Sequence, residues 1–255
     1  MIFDTHMHTI FSTDSKMTIE QALLRGKELG IGIIVTEHMD LKYPEPDSFV
    51  FDAEKYFAAY EPYRSEVFRI GIEVGMRQDC LDANLQLVEQ YPFDFVIGSI
   101  HVIDNVDIYD ASFYRKSKKE VYEKYFEAML QCITCYDCID SLGHIDYIAR
   151  YAQFEEKEIY YHEFTEAIDK VLKITAEKNK ALEINTRRLD SRKTIEALMP
   201  IYRRFHELGG RMVTIGSDAH RPEDIGKGMN AALQMAQDAQ LQPVYFVNRS
   251  PVFIR

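Results

Sequence analysis

Imidazoles and carboxylates recur in this chain just beyond short apolar runs. Asp4-Thr5-His6-Met7-His8 follows the opening Met-Ile-Phe, Thr36-Glu37-His38 follows residues 31–35, and Glu73 closes an Ile-Gly-Ile run. His101, His144 and the trio Asp218-Ala219-His220 lie past three further runs. Imidazole nitrogen and carboxylate oxygen form the donor set of zinc, manganese and iron. His6 and His8 alternate by two, so on an extended strand end both side chains share a face and one ion can take both. Asp218 and His220 repeat that alternation. Glu73 lies inside its strand, where an inward carboxylate must be paired or metal-bound to escape a large desolvation cost. Its two oxygens can bridge two ions. His38, His101 and His144 arrive singly, and Asp14, on the first loop, is close enough to fold back into the same mouth. A lone histidine at a strand end is usually an ordinary hydrogen-bonded residue. The joint pattern carries the weight, and it describes a chain built to hold several metal ions. His162 and His206 lie in helical stretches among charges and read as solvated.

Such ligands need strands to align them. Apolar runs bounded by turn or helix signals read as buried parallel strands. They are expected at residues 2–3, 31–35, 67–74, 93–99, 138–142, 181–184 and 212–215, with 244–247 closing or capping the structure. Helices are expected from Thr18 to Leu29 with Gly30 as the stop, from an Asp52 cap to about 65, and over 81–90, 118–136, 155–179, 191–208 and 222–239. Residues 41–51, with Pro44 and Pro46, form a loop, and residues 104–114 a loop or hairpin over the mouth. Strand and helix alternate throughout, and the ligand-type residues gather at one end. That is the arrangement of a closed α/β barrel. At 255 residues, one such domain accounts for the whole chain.

The bulk numbers narrow the choices. A hydrophobic fraction of 46% suits a packed globular protein. A formal charge of −11 argues against a surface that tracks nucleic-acid phosphates. No apolar stretch approaches the roughly 20 residues that span a bilayer, and no leader segment is visible, so a cytoplasmic enzyme with no membrane partner is expected. Cys132, Cys135 and Cys138 form Cys-Ile-Thr-Cys-Tyr-Asp-Cys, three thiols where an iron–sulfur cluster wants four. With Cys80 they read as small packed hydrophobes.

The ordered set Asp-Thr-His-Met-His, Thr-Glu-His, Gly-Ile-Glu-Val, Gly-Ser-Ile-His, Gly-His-Ile-Asp, Glu-Ile-Asn-Thr and Gly-Ser-Asp-Ala-His runs from residue 4 to residue 220. With it the chain resembles the polymerase-and-histidinol-phosphatase (PHP) superfamily, and within it the histidinol-phosphate phosphatases. The resemblance implies a distorted (β/α)7 barrel of α/β class and three divalent metal ions, zinc, manganese or iron. By that resemblance His6, His8, Glu73 and Asp218 would hold one ion. Glu73, His101 and His144 would hold a second, and Asp14, His38 and His220 a third. Many relatives carry histidine where this chain has Asp14, which would weaken the third site or turn it toward oxygen-loving ions. Asp4 and Glu37 are read as carboxylates that orient ligating imidazoles.

The implied chemistry is hydrolysis of a small phosphorylated substrate, L-histidinol phosphate, by a hydroxide generated at the metals. Bound metal ions would make the site positive despite the acidic surface. Arg150, Arg187 and Arg188 are the candidates to clamp the phosphate, with Arg77 a weaker one. Asp218 and His220 are the candidates for proton transfer, and the sequence does not choose between them. Carboxylates or aromatic faces of residues 104–114 would receive the cationic alcohol. The competing readings are a phosphoesterase for nucleotides or sugar phosphates, a phosphotyrosyl-protein phosphatase, and a non-catalytic metal-binding or regulatory domain. The sequence leaves oligomeric state open.

Overall fold

A computed structural model describes residues 1–254. Its strands are β1 (Phe3–Asp4), β2 (Gly32–Met39), β3 (Phe68–Gly75), β4 (Phe95–Ser99), β5 (Val102–Ile103), β6 (Val106–Asp107), β7 (Ser141–Leu142), β8 (Ala181–Asn185), β9 (Met212–Gly216), β10 (Gln242–Val247) and β11 (Ser250–Phe253). The α-helices are α1 (Ile19–Leu29), α2 (Ala53–Tyr60), α3 (Leu81–Gln90), α4 (Lys118–Cys135), α5 (Tyr147–Tyr151), α6 (Thr165–Glu177), α7 (Arg192–Glu207) and α8 (Met229–Asp238).

The sheet runs β1-β2-β3-β4-β7-β8-β9-β10-β11, and its neighbours are parallel up to the antiparallel β10–β11 hairpin. The chain just past β1 then bonds across to the end of β9. Thr5 N–H donates to Ile215 O, Asp218 N–H to His6 O and His8 N–H to Ala219 O, and Met7 bridges Ala219 in parallel register. These bonds close the ring at the carboxyl ends of the strands. At the other end β10 takes the place beside β9, so the barrel is distorted. Residues of β2, β3, β4 and β8 are buried almost without exception, as expected of strands covered on both faces. The floor is a small apolar cluster of Phe3, Ile34, Phe95, Ile97, Ala181, Val244 and Phe246. Phe246 stacks on Phe95 at 5.2 Å between centroids, and Tyr245 on Phe3 at 4.0 Å.

Local signals act as the residue types dictate. Thr18 and Gln21 form a capping box for α1, and Gly30 ends it at φ +66°. Asp52 caps α2, which stops at Tyr60 and passes into a 3-10 turn rather than reaching 65. Two expected helices are shorter than their patterns. Of residues 155–179 only 165–177 are α-helical, because Glu158 is buried in an ion pair with Arg188 instead of facing solvent on a helix. Residues 222–239 split into a 3-10 turn and α8. Gly226 and Gly228 both take φ +72°, and Gly226 N–H is drawn to Asp4 Oδ2 at 2.8 Å. The five-residue α5 has no counterpart among the expected elements. Residues 104–114, expected as a loop or hairpin, hold the turn and second strand of the β5–β6 hairpin, which begins at Val102, and then a 3-10 turn.

Candidate metal centre

At the carboxyl end of the barrel Glu73 is fully buried, and imidazoles surround it. His144 Nε2 lies 2.9 Å and His101 Nε2 3.3 Å from its Oε1. His38 Nδ1 lies 2.8 Å, His6 Nε2 3.3 Å and His8 Nε2 3.5 Å from its Oε2. Asp218 Oδ1 faces His8 Nε2 at 3.4 Å and His6 Nε2 at 3.9 Å. Asp14, on the rim and part exposed, meets His220 Nε2 at 2.9 Å and His38 Nε2 at 3.8 Å. The structure thus brings the expected ligands into one cluster. Its close triads include His6–His8–Asp218, Glu73–His101–His144 and His8–His38–His220. In the last of these His8 stands where Asp14 was expected, with Asp14 beside it.

Hydrogen bonding fixes which nitrogens can offer lone pairs. His6 Nδ1 lies 2.6 Å from Glu183 Oε1, and His101 Nδ1 2.9 Å from Asp40 Oδ1. A carboxylate accepts, so both Nδ1 atoms carry a proton and Nε2 is the nitrogen that can offer a lone pair to a metal ion. Ser12 gives its hydroxyl proton to Glu37 Oε2 at 2.6 Å, so it accepts from His8 Nδ1 at 3.2 Å and leaves His8 Nε2 in the same role. Yet His6 Nε2 and His8 Nε2 stand 3.1 Å apart, and all three Nε2 atoms point toward Glu73 or Asp218. Glu73 Oε2 and His38 Nδ1 are buried and lack a hydrogen bond of proper geometry. Converging nitrogens and carboxylates at these distances need positive charge among them, as protons on the imidazoles or as metal ions in their place, so the donor set fits divalent metal ions.

The electrostatics show how strongly the carboxylates draw positive charge into the cluster. Burial opposes charge on His6, but Glu183, Glu73 and Asp218 outweigh it and hold the imidazole well above its usual range. Burial likewise opposes charge on His101, and Asp40 and Glu73 prevail. For His8, burial together with His38 and His220 depresses the pKa well below its usual value. Burial works against ionised Glu73, but His6, His101 and His38 hold it well below the carboxylate range. Asp218 is held low despite burial by Arg150 and His6. Asp218 also sits at φ +55°, a backbone cost of about 1–3 kcal/mol that side chains at functional sites commonly bear.

Further carboxylates stand behind these ligands. Asp40 and Glu183 hold His101 and His6, and Glu183 Oε2 also accepts from His144 N–H at 2.6 Å. Spacing in the sequence gives neither a role, although Asp40 lies two residues past His38 and Glu183 opens Glu-Ile-Asn-Thr. Gly216 lets β9 pass close to them, since a Cβ there would collide with His6 and the Glu183 carboxylate. Glu37 and Asp4, expected to orient imidazoles, do so indirectly or not at all. Glu37 reaches His8 through Ser12. Asp4 accepts the backbone N–H groups of Ser217 and Gly226, at 2.8 Å each, and so ties the β9 loop to β1.

The cluster opens into a cavity of about 590 Å³. His38, His101, His144, Asp218 and His220 lie in its walls with Lys16, Arg150, Arg187 and Arg221. Arg150 Nη2 donates to Asp218 Oδ2 at 2.8 Å, and its buried Nε has no partner. Arg187 donates to Asp218 O at 2.6 Å. Lys16 and Arg221 give no signal in the sequence, because isolated cations form no spacing pattern. Arg188 does not line this cavity: its guanidinium is spent on Asp146 Oδ2 at 2.7 Å and Glu158 Oε1 at 2.6 Å, so it is withdrawn as a phosphate ligand. Arg77 is occupied by Asp79 and Lys42 O. A second lobe of about 480 Å³ shares Asp14, His38, His101, Tyr147 and Tyr151 with the first. It is acidic and aromatic, with Glu45, Asp107, Tyr43, Phe49 and Tyr109. The four cysteines are free, and His162 is exposed. No helix among the described residues is long and apolar enough to cross a membrane.

Comparison with known proteins agrees with this architecture. A "probable histidinol-phosphatase" of Clostridium acetobutylicum is 50% identical over 98% of both chains. A "histidinol-phosphatase" of Lactococcus lactis is 35% identical over 85% of this chain and 83% of its own. The crystal structure of histidinol phosphate phosphatase from Lactococcus lactis, complexed with zinc, L-histidinol and phosphate, superposes with a TM-score of 0.92. It is 30% identical and covers 98% of both chains. The PHP domain model matches residues 4–187, and the chain belongs to the PHP domain family.

Proposed function

We propose that this protein is a metal-dependent phosphomonoesterase that hydrolyses L-histidinol phosphate to L-histidinol and phosphate, a step of histidine biosynthesis. The observation that carries the reading is the cavity's division: a cationic lobe over a carboxylate–imidazole cluster adjoins an acidic, aromatic lobe. Phosphate suits the first, and the ammonium and imidazole of histidinol suit the second. The relatives named histidinol-phosphatase support the same substrate.

His6, His8, Glu73 and Asp218 would hold one divalent ion, Glu73, His101 and His144 a second, and His38, His220 and Asp14 a third. Zinc is favoured by the Lactococcus structure, with manganese or iron as alternatives. When bound, such ions supply Lewis acidity toward water and the phosphoryl oxygens. The chain's own residues do the rest. Arg150 and Arg187, with Lys16 and Arg221 beside them, bind the phosphate oxygens and fix the ester for in-line attack by water. The P–O bond to the alcohol breaks as the new one forms. Asp218, ionised and paired with Arg150, is placed to accept the attacking water's proton and to return it to the departing oxygen, while His220 Nδ1 stays turned to Asp218 O. Asp107 and Glu45 neutralise the cationic alcohol, and Tyr147 and Tyr151 supply ring faces.

The test is phosphate release by zinc- or manganese-loaded protein from a panel of histidinol phosphate, nucleoside monophosphates, sugar phosphates and phosphotyrosine. Turnover of histidinol phosphate well above the rest, lost in His8→Ala, is expected. Comparable slow turnover of every ester would overturn the substrate assignment and keep the phosphatase. No turnover of any ester by metal-loaded protein would overturn both.

A further inference from the structure

The two arginines closest to Asp218 sit on elements that cannot hold themselves. Arg150 belongs to the five-residue helix α5, and Arg187 to the 3-10 turn Thr186–Arg188. Helical segments of this length are unstable alone, because nucleation costs more than one or two hydrogen bonds return. Their relative position must come from tertiary contacts. Asp146 occupies the N-cap of α5 but makes no side-chain cap bond. Its carboxylate is instead turned to Arg188, at the end of the neighbouring turn. The other prong of the Arg188 fork goes to Glu158, which also accepts from Thr194 near the start of α7. Asp146 and Glu158 are buried, and the Arg188 side chain is only 11% exposed. One planar guanidinium thus joins the helix that carries Arg150, the turn that carries Arg187 and the segment leading to α6.

We propose that Arg188 is a positioning residue: bridging Asp146 and Glu158, it sets the spacing of Arg150 and Arg187 and so builds the phosphate clamp without touching substrate. This rests on the phosphatase reading only for the identity of the clamp's ligand. A forked cation that meets two separate carboxylates fixes angle as well as distance, which an ammonium cannot do. Loss of the bridge would leave two buried carboxylates unpaired and free the two short elements to drift. Displacement of a phosphate-binding group by about 1 Å is enough to cost substantial binding and rate.

The experiment measures binding of inorganic phosphate to metal-loaded wild type and variants by calorimetry, together with kcat and KM for histidinol phosphate. Arg188→Met is expected to weaken phosphate at least tenfold and raise KM by a similar factor, with a smaller fall in kcat and unchanged metal content. Arg188→Lys should recover only part of the affinity. Because unpaired buried carboxylates could unfold Arg188→Met, the triple variant Asp146→Asn, Glu158→Gln, Arg188→Met separates fold from positioning. A melting temperature restored toward wild type with phosphate affinity still weak supports the proposal. Recovery of affinity along with stability, or unchanged affinity in Arg188→Met, overturns it. If wild type binds phosphate but does not hydrolyse histidinol phosphate, the substrate reading fails while this comparison still reports on Arg188. If wild type does not bind phosphate, there is no clamp and the proposal falls.

Discussion

At the amino ends of the barrel strands, Phe3, Ile34, Phe95, Ile97 and Ala181 meet Val244 and Phe246 of the terminal hairpin in a dry apolar floor. At the carboxyl ends the barrel strands lead to His6, His38, Glu73, His101, His144 and Asp218, buried side chains that are polar or charged. The floor follows the ordinary rule of burial. It is sealed at its edge by Asp94 and Asp140, which capture the Asn248–Arg249 turn through Asn248 N–H to Asp94 Oδ1 at 3.0 Å and Arg249 Nε to Asp140 Oδ2 at 2.5 Å. The mouth breaks the rule, with orphaned polar atoms and a strained Asp218. Stability therefore resides where the rule is kept, and chemistry where it is broken.

The largest effect that tests this division is Glu73→Gln. Phosphate release should fall by about a thousandfold or more, equivalent to about 4 kcal/mol in the barrier. The metal-free variant should nevertheless keep its circular dichroism and melt within a few degrees of metal-free wild type, because the imidazoles held protonated by Glu73 can release their protons. Unfolding of the variant would show that the cluster is also a structural core.

Phe246→Ala is the mirror experiment. Removing a stacked ring from the floor should cost about 3–5 kcal/mol, read as a lowered denaturation midpoint. Below the melting range kcat should stay within about twofold of wild type, since no cavity residue touches Phe246. A matching loss of kcat in a folded variant would mean that the floor transmits strain to the site.

The two ends also differ in how far they could be read from sequence. Strand positions were legible because apolar runs with sharp stops leave few alternatives, and the ligand residues because they recur at the same place in each run. What escaped depended on distant partners. Asp40 and Glu183 show no spacing signal of their own, and their role exists only because His101 and His6 come to face them. Arg188 stands beside Arg187 in sequence, but buried Asp146 and Glu158 claim its fork. That claim also unwinds the residues before α6, where the local pattern reads as helix. The Phe246 floor gave only the hint of a closing or capping strand, because which end of the barrel the tail reaches is decided by its fit against Phe95 and Phe3.

A smaller effect is expected from Asp40→Asn. The amide can still accept from His101 Nδ1 but no longer strengthens the basicity of Nε2, so metal affinity should drop about 10–100-fold. Competition with a chelator measures this directly. Unchanged affinity would remove Asp40 from the centre and leave it as a packing residue of the mouth.

The smallest effect divides the mouth itself. Asp107 lies in the acidic lobe, where it accepts a hydrogen bond from the Tyr43 hydroxyl. Asp107→Asn keeps the size and the hydrogen bond but removes the charge that would face the histidinol cation. A single part-solvated ion pair is worth about 1 kcal/mol, so KM for histidinol phosphate should rise about fivefold with kcat unchanged. Phenyl phosphate has no cationic tail and is the control: its kinetics should not respond. If both substrates weaken equally, Asp107 shapes the loop rather than reading the alcohol. If only histidinol phosphate weakens, the acidic lobe sets specificity while the metal cluster and arginines handle the phosphoryl group common to all such esters, and the contrast between the two ends of the barrel is repeated on a finer scale between the two lobes of its mouth.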